Sequence, residues 1–355
     1  ASRAATAAII PAAPAPTTTT CGVTRERPTS ASCGSRRSHE YRIVDVMSLA
    51  RTILLAASDS RWLRENGTRM PFVRRAVSTF MPGETPADML TAAAAQAALG
   101  VGALFTRLGE NVTDLGEADG VRDHYLEVIG QVQARGIACE PSIKLTQLGL
   151  DVDPEAAYRS ALAIGRRAAE AGSYFWVDME QSSYVDTTLD MVSRLRQDVP
   201  RIGVALQAYL RRSGDDAARM IREGIGVRLV KGAYAEPAAV AFPEKAEGDA
   251  NYVRIAKMMM APESRANGFR AVFGTHDTVI INALERHGDG LGIGKTDYEI
   301  HMLYGIQRGE QRRLAEQRKN VRVLIAYGSY WFPWYMRRLA ERPANVWFVA
   351  KSVFR

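Results

Sequence analysis

IGVALQAYLRRSGDDAARMIREGIGVRLVK, residues 202–231, contains one complete strand–helix–strand unit. The apolar run Ile202–Gln207 has the length of a buried strand, and Val227–Lys231 repeats it. Gly214–Glu223 between them is amphipathic and long enough for a helix. Runs of the same kind recur at Ala103–Thr106, Pro141–Lys144, Tyr174–Asp178, Arg270–Thr275, Tyr298–Met302 and Val321–Ala326. Amphipathic stretches separate them at Val121–Arg135, Pro154–Ala171, Thr187–Asp198, Asn251–Met260, Thr278–His287 and Gly309–Arg318, and Trp331–Glu341 closes the series. Strands alternating with helices in this way predict an α/β fold, a (β/α)8 TIM-type barrel in which each helix crosses back over a parallel sheet. An open doubly wound sheet would carry a Gly-rich turn after its first strand, and Arg107-Leu108-Gly109-Glu110 is not one.

Outward from the barrel, expected over residues 101–355, the chain changes character. Residues 46–100 read as an N-terminal helical segment, with apolar residues at helical spacing in Leu49–Ala56 and Phe72–Phe80. Met81-Pro82-Gly83 breaks it, and Thr85-Pro86-Ala87-Asp88 starts a new helix, with a threonine cap followed by proline at the first position. Residues 1–45 are rich in Ala, Thr, Ser, Pro and Arg and show no period, so they are expected to be a disordered tail. The tail is acid-poor and Arg-bearing, like a mitochondrial transit peptide; since position 1 is not Met and Met47 opens a sound helix, an over-extended start is the competing reading.

Composition narrows the function classes. Hydrophobic residues make up 46% of the chain, ample for one large core, and no apolar run approaches the length of a membrane span. Cys21, Cys33 and Cys139 form neither a disulfide framework nor a zinc-type pair, so a reducing, cytoplasmic setting is expected. The net charge of +7 is dispersed over Arg36-Arg37, Arg74-Arg75, Arg211-Arg212 and Arg312-Arg313 without interleaved aromatic residues, which argues against nucleic acid. Attachment to an anionic membrane surface fits better.

In a barrel the chemistry comes from the C-terminal ends of the strands. Lys144, Asp178 and Glu180, Gln207, Arg228 and Lys231, Thr275 and His276, and Glu299 and His301 are the polar residues expected there. So many charged groups at strand ends point to a site, because unpaired buried charge is costly. Arg228 and Val230 face one side of their strand, Leu229 and Lys231 the other, and Gly232 lets a phosphate or flat ring approach the backbone. Arg337 and Arg338 in the closing helix can converge on a small anion; Glu341 is placed to orient them, and a carboxylate is the natural partner of such a fork.

At these residues the chain resembles the FAD-dependent proline dehydrogenases, of the monofunctional bacterial type, from about Met47 onward. The resemblance is carried by Leu108-Gly109-Glu110, Ile143–Gly149, Val177-Asp178-Met179-Glu180, Leu206–Leu210, Arg228–Tyr234, Thr275-His276-Asp277, Met302-Leu303-Tyr304-Gly305 and Met336–Asn345. It implies that FAD lies across the barrel mouth on Met179, Gln207, Arg228, Lys231, Gly232 and Ala233, with Thr275, His276 and His301 toward the rest of the cofactor. It also implies that Arg337 and Arg338 clamp the carboxylate of L-proline, with Lys144, Asp178, Tyr234 and Glu341 around the ring and its amine. Asp178 is expected in proton transfer, and Arg228 near flavin N5. The implied reaction is hydride transfer to FAD, giving 1-pyrroline-5-carboxylate. Electrons would pass to a quinone, with peripheral contact at the inner face of a membrane. Since the chain ends shortly after the closing helix, no aldehyde dehydrogenase domain is expected.

Two strands depart from the family pattern. His301 stands where the family usually carries glutamine; either residue can donate a hydrogen bond to the cofactor. Leu324 stands in place of a tyrosine that lines the proline pocket, and Ala326 in place of a proline. A hydroxyproline or N-substituted proline is therefore the alternative substrate. Tyr327 falls on the opposite strand face from Leu324. The rivals from other classes are a metal-dependent barrel using Asp178, Glu180, His276 and His301, a Schiff-base enzyme using Lys144 or Lys231, and an inactive barrel serving as a binding module.

Overall fold

The structure, a computed structural model, describes residues 78–266 and 268–331. The expected tail, the helices before Ser78 and the closing helix beyond Trp331 lie outside the described residues, and with them Arg337, Arg338 and Glu341.

Helix α1 (Pro86–Ala97) opens as its sequence predicts. Thr85 and Asp88 form a reciprocal capping box, and Pro86 occupies the first turn, where its missing N–H costs nothing. Eight strands follow: β1 (Gly102–Arg107), β2 (Cys139–Ile143), β3 (Phe175–Val177), β4 (Ile202–Gln207), β5 (Gly226–Val230), β6 (Ala271–Gly274), β7 (Glu299–Leu303) and β8 (Asn320–Tyr327). They close into one barrel in sequence order, every pairing parallel. Closure runs from Gly102↔Arg322 to Arg107↔Tyr327. Between the strands lie α2 (Leu115–Ala134), α3 (Pro154–Glu170), α4 (Val185–Leu195), α5 (Ser213–Arg222), α6 (Lys245–Met260), the short α7 (Pro262–Arg265), α8 (Thr278–Gly290) and α9 (Arg308–Glu316).

Three helices start where an aspartate ends the preceding loop. Asp114, Asp153 and Asp277 each accept backbone N–H bonds from the first turn of α2, α3 and α8. The cap at Asp114 explains why α2 begins at Leu115, ahead of the expected Val121. Strand β2 likewise starts at Cys139 rather than Pro141, because Cys139 and Glu140 already pair with Ala103 and Leu104 of β1. The Glu140 charge suggests a loop, yet its side chain is buried.

Alternation along the strands sorts side chains into two layers. Phe105, Ile143, Phe175, Val204, Leu229, Phe273, Ile300 and Ile325 join the helix faces in the main hydrophobic core. Leu104, Tyr174, Trp176 and Val272 form a second, smaller cluster inside the barrel, with Leu324 packed against it. Tyr327 belongs to the outer layer, where its hydroxyl meets His124 Nε2 at 2.8 Å, so it stands on the other face from Leu324 as the alternation predicts.

Candidate active site

The barrel interior is polar at two levels. At the N-terminal end, Glu140 of β2 and Glu299 at the start of β7 face Arg270, just before β6, and Arg322 of β8. Arg270 donates to Glu140 (3.0 and 3.1 Å) and to Glu299 (2.7 and 2.8 Å). Arg322 Nε donates to Glu299 at 3.0 Å, and its Nη2 lies 3.3 Å from Glu140. The Trp176 indole N–H completes the ring by donating to Glu140 at 2.7 Å. Two carboxylates and two guanidinium groups thus balance, with nearly every oxygen occupied. Glu299 therefore belongs to the floor of the barrel; its expected place among the strand ends is corrected, because it opens β7 instead of closing it.

One layer higher, Arg228 of β5 reaches across the barrel with its guanidinium carbon 5.1 Å from the centre of the Trp176 ring. Its Nη2 donates to Ser142 Oγ at 3.0 Å and to Asp178 Oδ1. Asp178 follows β3, held by its own N–H to Ile143 O at 2.8 Å. Its Oδ1 also accepts from Ser142 Oγ at 2.9 Å, and Lys144 Nζ approaches its Oδ2 at 3.5 Å. Burial pushes the Asp178 carboxyl up, but Arg228 and then Lys144 outweigh it and hold the group below the ordinary carboxylate range. Two cations thus flank the Asp178 carboxylate, and Lys144 also faces the charge of Glu180. Gly203, opposite, leaves room for the Trp176 ring, since a Cβ there would come within 2.5 Å of it.

Gln207 ends β4 with its Nε2 donating to Glu180 O at 3.1 Å. Glu180 itself is buried and accepts from Thr146 N and Oγ1, at 3.2 and 2.6 Å, so it ties the loop after β2 to the loop after β3. Burial raises its pKa. Thr275 donates its backbone N–H to His301 O at 3.1 Å, and His276 Nε2 accepts from Leu303 N at 2.8 Å; both fasten β6 to β7.

Among the expected site residues, Lys144, Asp178, Gln207, Arg228 and His301 share the barrel interior. Lys231 stands elsewhere: its ammonium lies 2.6 Å from Asp249 on α6 and 2.7 Å from Asp277 at the start of α8. Met179 is buried in the main hydrophobic core. Gly232 has φ +110 and lies against the Tyr209 ring, where a Cβ would come within 2.1 Å of a ring carbon, so only glycine fits this approach. Ala233 is exposed beside it and Tyr234 half-buried.

The buried side-chain atoms with no hydrogen-bond partner in the described structure include Gln207 Oε1, Arg228 Nη1 and His301 Nδ1 of this layer, and Thr106 Oγ1 near the end of β1. Native interiors rarely leave such atoms orphaned unless a ligand or water completes them. Sequence reading missed Ser142 and Trp176, although both alternate with residues it identified, Ser142 with Lys144 and Trp176 with Asp178. Among the described residues no three His, Cys, Asp or Glu side chains converge on a metal-sized site, and Lys144 and Lys231 are each engaged by carboxylates.

Comparison with known proteins places these features in context. The proline dehydrogenase family profile matches residues 89–351. Proline dehydrogenase 1 of Bacillus subtilis (strain 168) is 32% identical over 296 residues, covering 83% of this chain and 95% of that protein. The proline dehydrogenase of Deinococcus radiodurans is 34% identical over 281 residues, covering 78% and 89%. Among solved structures, proline utilization A from Bdellovibrio bacteriovorus, inactivated by N-propargylglycine, matches with a TM-score of 0.69 at 23% identity. That match covers 76% of this chain but only 33% of the larger protein, and at this identity it supports the barrel fold alone.

Proposed function

This chain belongs to the proline dehydrogenase family, and from that premise we propose that it oxidises L-proline to 1-pyrroline-5-carboxylate, the first step of proline catabolism, with FAD as the hydride acceptor. The observation that carries the cofactor assignment is the trio of orphaned buried atoms, Gln207 Oε1, Arg228 Nη1 and His301 Nδ1. They offer one donor and two acceptors, which suits the mixed hydrogen-bonding edge and side chain of a flavin. FAD, when bound, supplies the two-electron acceptor that no side chain here provides.

The protein's own residues then bind, orient and hold charge. Arg228 keeps a fixed positive charge in the barrel interior, which favours a cofactor that becomes anionic on reduction. Asp178, held ionised, attracts the substrate ammonium. The same cations that keep it ionised make it a weak base, so its contribution to proton transfer is to lower the cost of bringing the amine near Arg228 and Lys144. Arg337 and Arg338, oriented by Glu341, are proposed to clamp the proline carboxylate, and Tyr234 to close on the ring. Lys231, Gly232, Ala233, Thr275 and His276 are proposed for the outer part of the cofactor, and Met179 beside it. Leu324, packed on the interior apolar cluster, makes this side of the pocket apolar.

We also propose that electrons leave to a quinone at a membrane surface. No described helix is long and apolar enough to cross a membrane, so contact there would be peripheral. Purified protein should be yellow, with a flavin spectrum that bleaches anaerobically on adding L-proline. A colourless protein holding stoichiometric metal would overturn the assignment. A spectrum bleached by hydroxyproline but not by proline would keep the cofactor and replace the substrate.

A further inference from the structure

Strand β7 carries two polar residues into the barrel, Glu299 on the floor and His301 above it, and the hydrogen bond between them fixes where the histidine proton sits. His301 Nε2 lies 3.2 Å from Glu299 Oε2. That carboxylate already accepts from Arg270 and Arg322. The hydrogen bond from His301 and then the Arg270 guanidinium outweigh its burial and hold it ionised well below the ordinary range. An ionised carboxylate only accepts, so Nε2 must carry the proton. The groups facing His301 from the other elements are Trp176, edge-on with ring centroids 5.7 Å apart, Arg228 of β5, Arg270 before β6, and Arg322, its register partner on β8. None of these is an acceptor for a second ring proton. Burial foremost, with the two nearby arginines, pushes the His301 pKa down to about 4, against the pull of Glu299. At neutral pH the ring is therefore uncharged and its Nδ1 is a bare lone pair. In this tautomer His301 would meet the cofactor as an acceptor, where the sequence alone leaves it able to donate.

Nδ1 is fully buried and has no partner among the described residues; neither has Arg228 Nη1, a donor. Both side chains pack on Trp176. An acceptor lacking a donor and a donor lacking an acceptor, set around one indole, are complementary to a single bridging group. We propose that His301 is a positioning residue for Arg228: locked as the Nε2–H tautomer by Glu299, it anchors the guanidinium from below through one bridging hydroxyl. The bridge must accept from Arg228 Nη1 and donate to His301 Nδ1, chemistry that a buried water or a cofactor hydroxyl supplies equally. The floor of ion pairs would thereby set the orientation of the residue that holds the mouth. Only the cofactor arm of this inference rests on the function proposed above.

Imidazole 15N resonances of the protein, recorded with and without FAD, test it directly. The expected result is an Nε2-protonated neutral ring, unchanged between pH 8 and pH 5.5. An Nδ1 signal identical in both samples assigns the bridge to water, and one that shifts only with FAD assigns it to the cofactor. Protonation at Nδ1, or a ring titrating near its ordinary pKa, would overturn the proposal. His301→Phe should weaken FAD binding about tenfold, the scale of one hydrogen bond to a charged group, and shift the flavin potential, while His301→Gln, which keeps an acceptor, should restore both. A His301→Phe protein matching the parent in potential and affinity would also overturn it. If that variant does not fold, the tautomer in the parent still decides. Absence of FAD binding by the parent would remove the functional assignment but leave the tautomer measurement standing.

Discussion

The two polar layers inside this barrel are built from the same residue types and behave oppositely. On the floor, Glu140, Glu299, Arg270 and Arg322 face one another with matched charge and short hydrogen bonds. At the mouth, Lys144 and Arg228 crowd Asp178, and neighbouring polar atoms stand orphaned. A satisfied buried network specifies a structure, and an unsatisfied one specifies a ligand. Buried charge alone therefore does not mark the working end of a barrel; charge beside orphaned polar atoms inside it does.

Arg228→Met offers the largest break in that contrast. It leaves the buried Asp178 with the Ser142 hydroxyl and, as its one remaining cation, Lys144 at the longer distance of 3.5 Å, and losing one partner of a buried pair costs about 3–5 kcal/mol. It also removes the donor beneath the proposed cofactor, so kcat/KM for L-proline should fall by about 10²-fold or more in steady-state assays at saturating FAD. Near-parental turnover would mean that the mouth charge is structural, like the floor.

Glu140→Gln probes the floor alone. Glutamine keeps a single acceptor oxygen, so its NH2 would meet either the Arg270 and Arg322 Nη2 donors or Arg270 Nη1 and the Trp176 N–H; with the charge lost as well, about 2–4 kcal/mol of stability should disappear. Thermal denaturation should show this as a melting point lower by about 3–6 °C. KM for proline should stay within about twofold, because no orphaned atom belongs to Glu140. A large change in KM with an unchanged melting point would erase the distinction between the layers.

Acid should act with one sign on His301, Glu299 and Asp178, and with the other on Glu180, whose carboxyl burial pushes up. His301, Glu299 and Asp178 all have folded-state pKa values below their ordinary ones. Stability from His301 is complete above about pH 6.5 and is lost as pH falls toward about 4. Stability from the two carboxylates is present above their ordinary pKa values and is lost further down. Denaturant midpoints should thus be flat from pH 8 to about 6.5 and fall steadily below it, with His301→Gln flattening the first part of the decline. A parent whose midpoint rises between pH 6.5 and 5 would show the reverse linkage, a histidine charged in the folded state.

How much of this was legible beforehand follows from what each signal depends on. The barrel was, because strand–helix alternation is local and repeats; the caps at Asp114, Asp153 and Asp277 even sharpen its helix starts. Lys144, Asp178 and Arg228 were also legible, as charged residues ending apolar runs. Glu299 was misplaced because the sequence marks a polar residue beside an apolar run without saying which end of the strand it occupies. The Glu140–Arg270 contact joins residues 130 positions apart, and no local period encodes that. The tautomer of His301 was illegible for the same reason: its Glu299 partner is two residues away, but that carboxylate is engaged by Arg270 and Arg322 from distant parts of the chain.

Lys231 lies between the two layers in kind, and replacing it should have the smallest effect. It sits beside the motif glycine Gly232, yet its ammonium is divided between Asp249 and Asp277 on the helical rim, about a third of the side chain exposed. Solvent screening at such a site keeps each ion pair near 1 kcal/mol or below. Both aspartates also retain other work, since Asp249 keeps Lys245 and Asp277 keeps the backbone N–H of Val279 at the start of α8. Lys231→Met should therefore lower stability by about 1 kcal/mol at most and weaken FAD binding by about threefold, both measurable by denaturation and flavin fluorescence titration. An effect on FAD affinity as large as that of Arg228→Met would move Lys231 out of the rim cluster and into the incomplete layer. A neutral result would show that charge beside the glycine turn serves mainly to seat α6 and α8 against the end of β5.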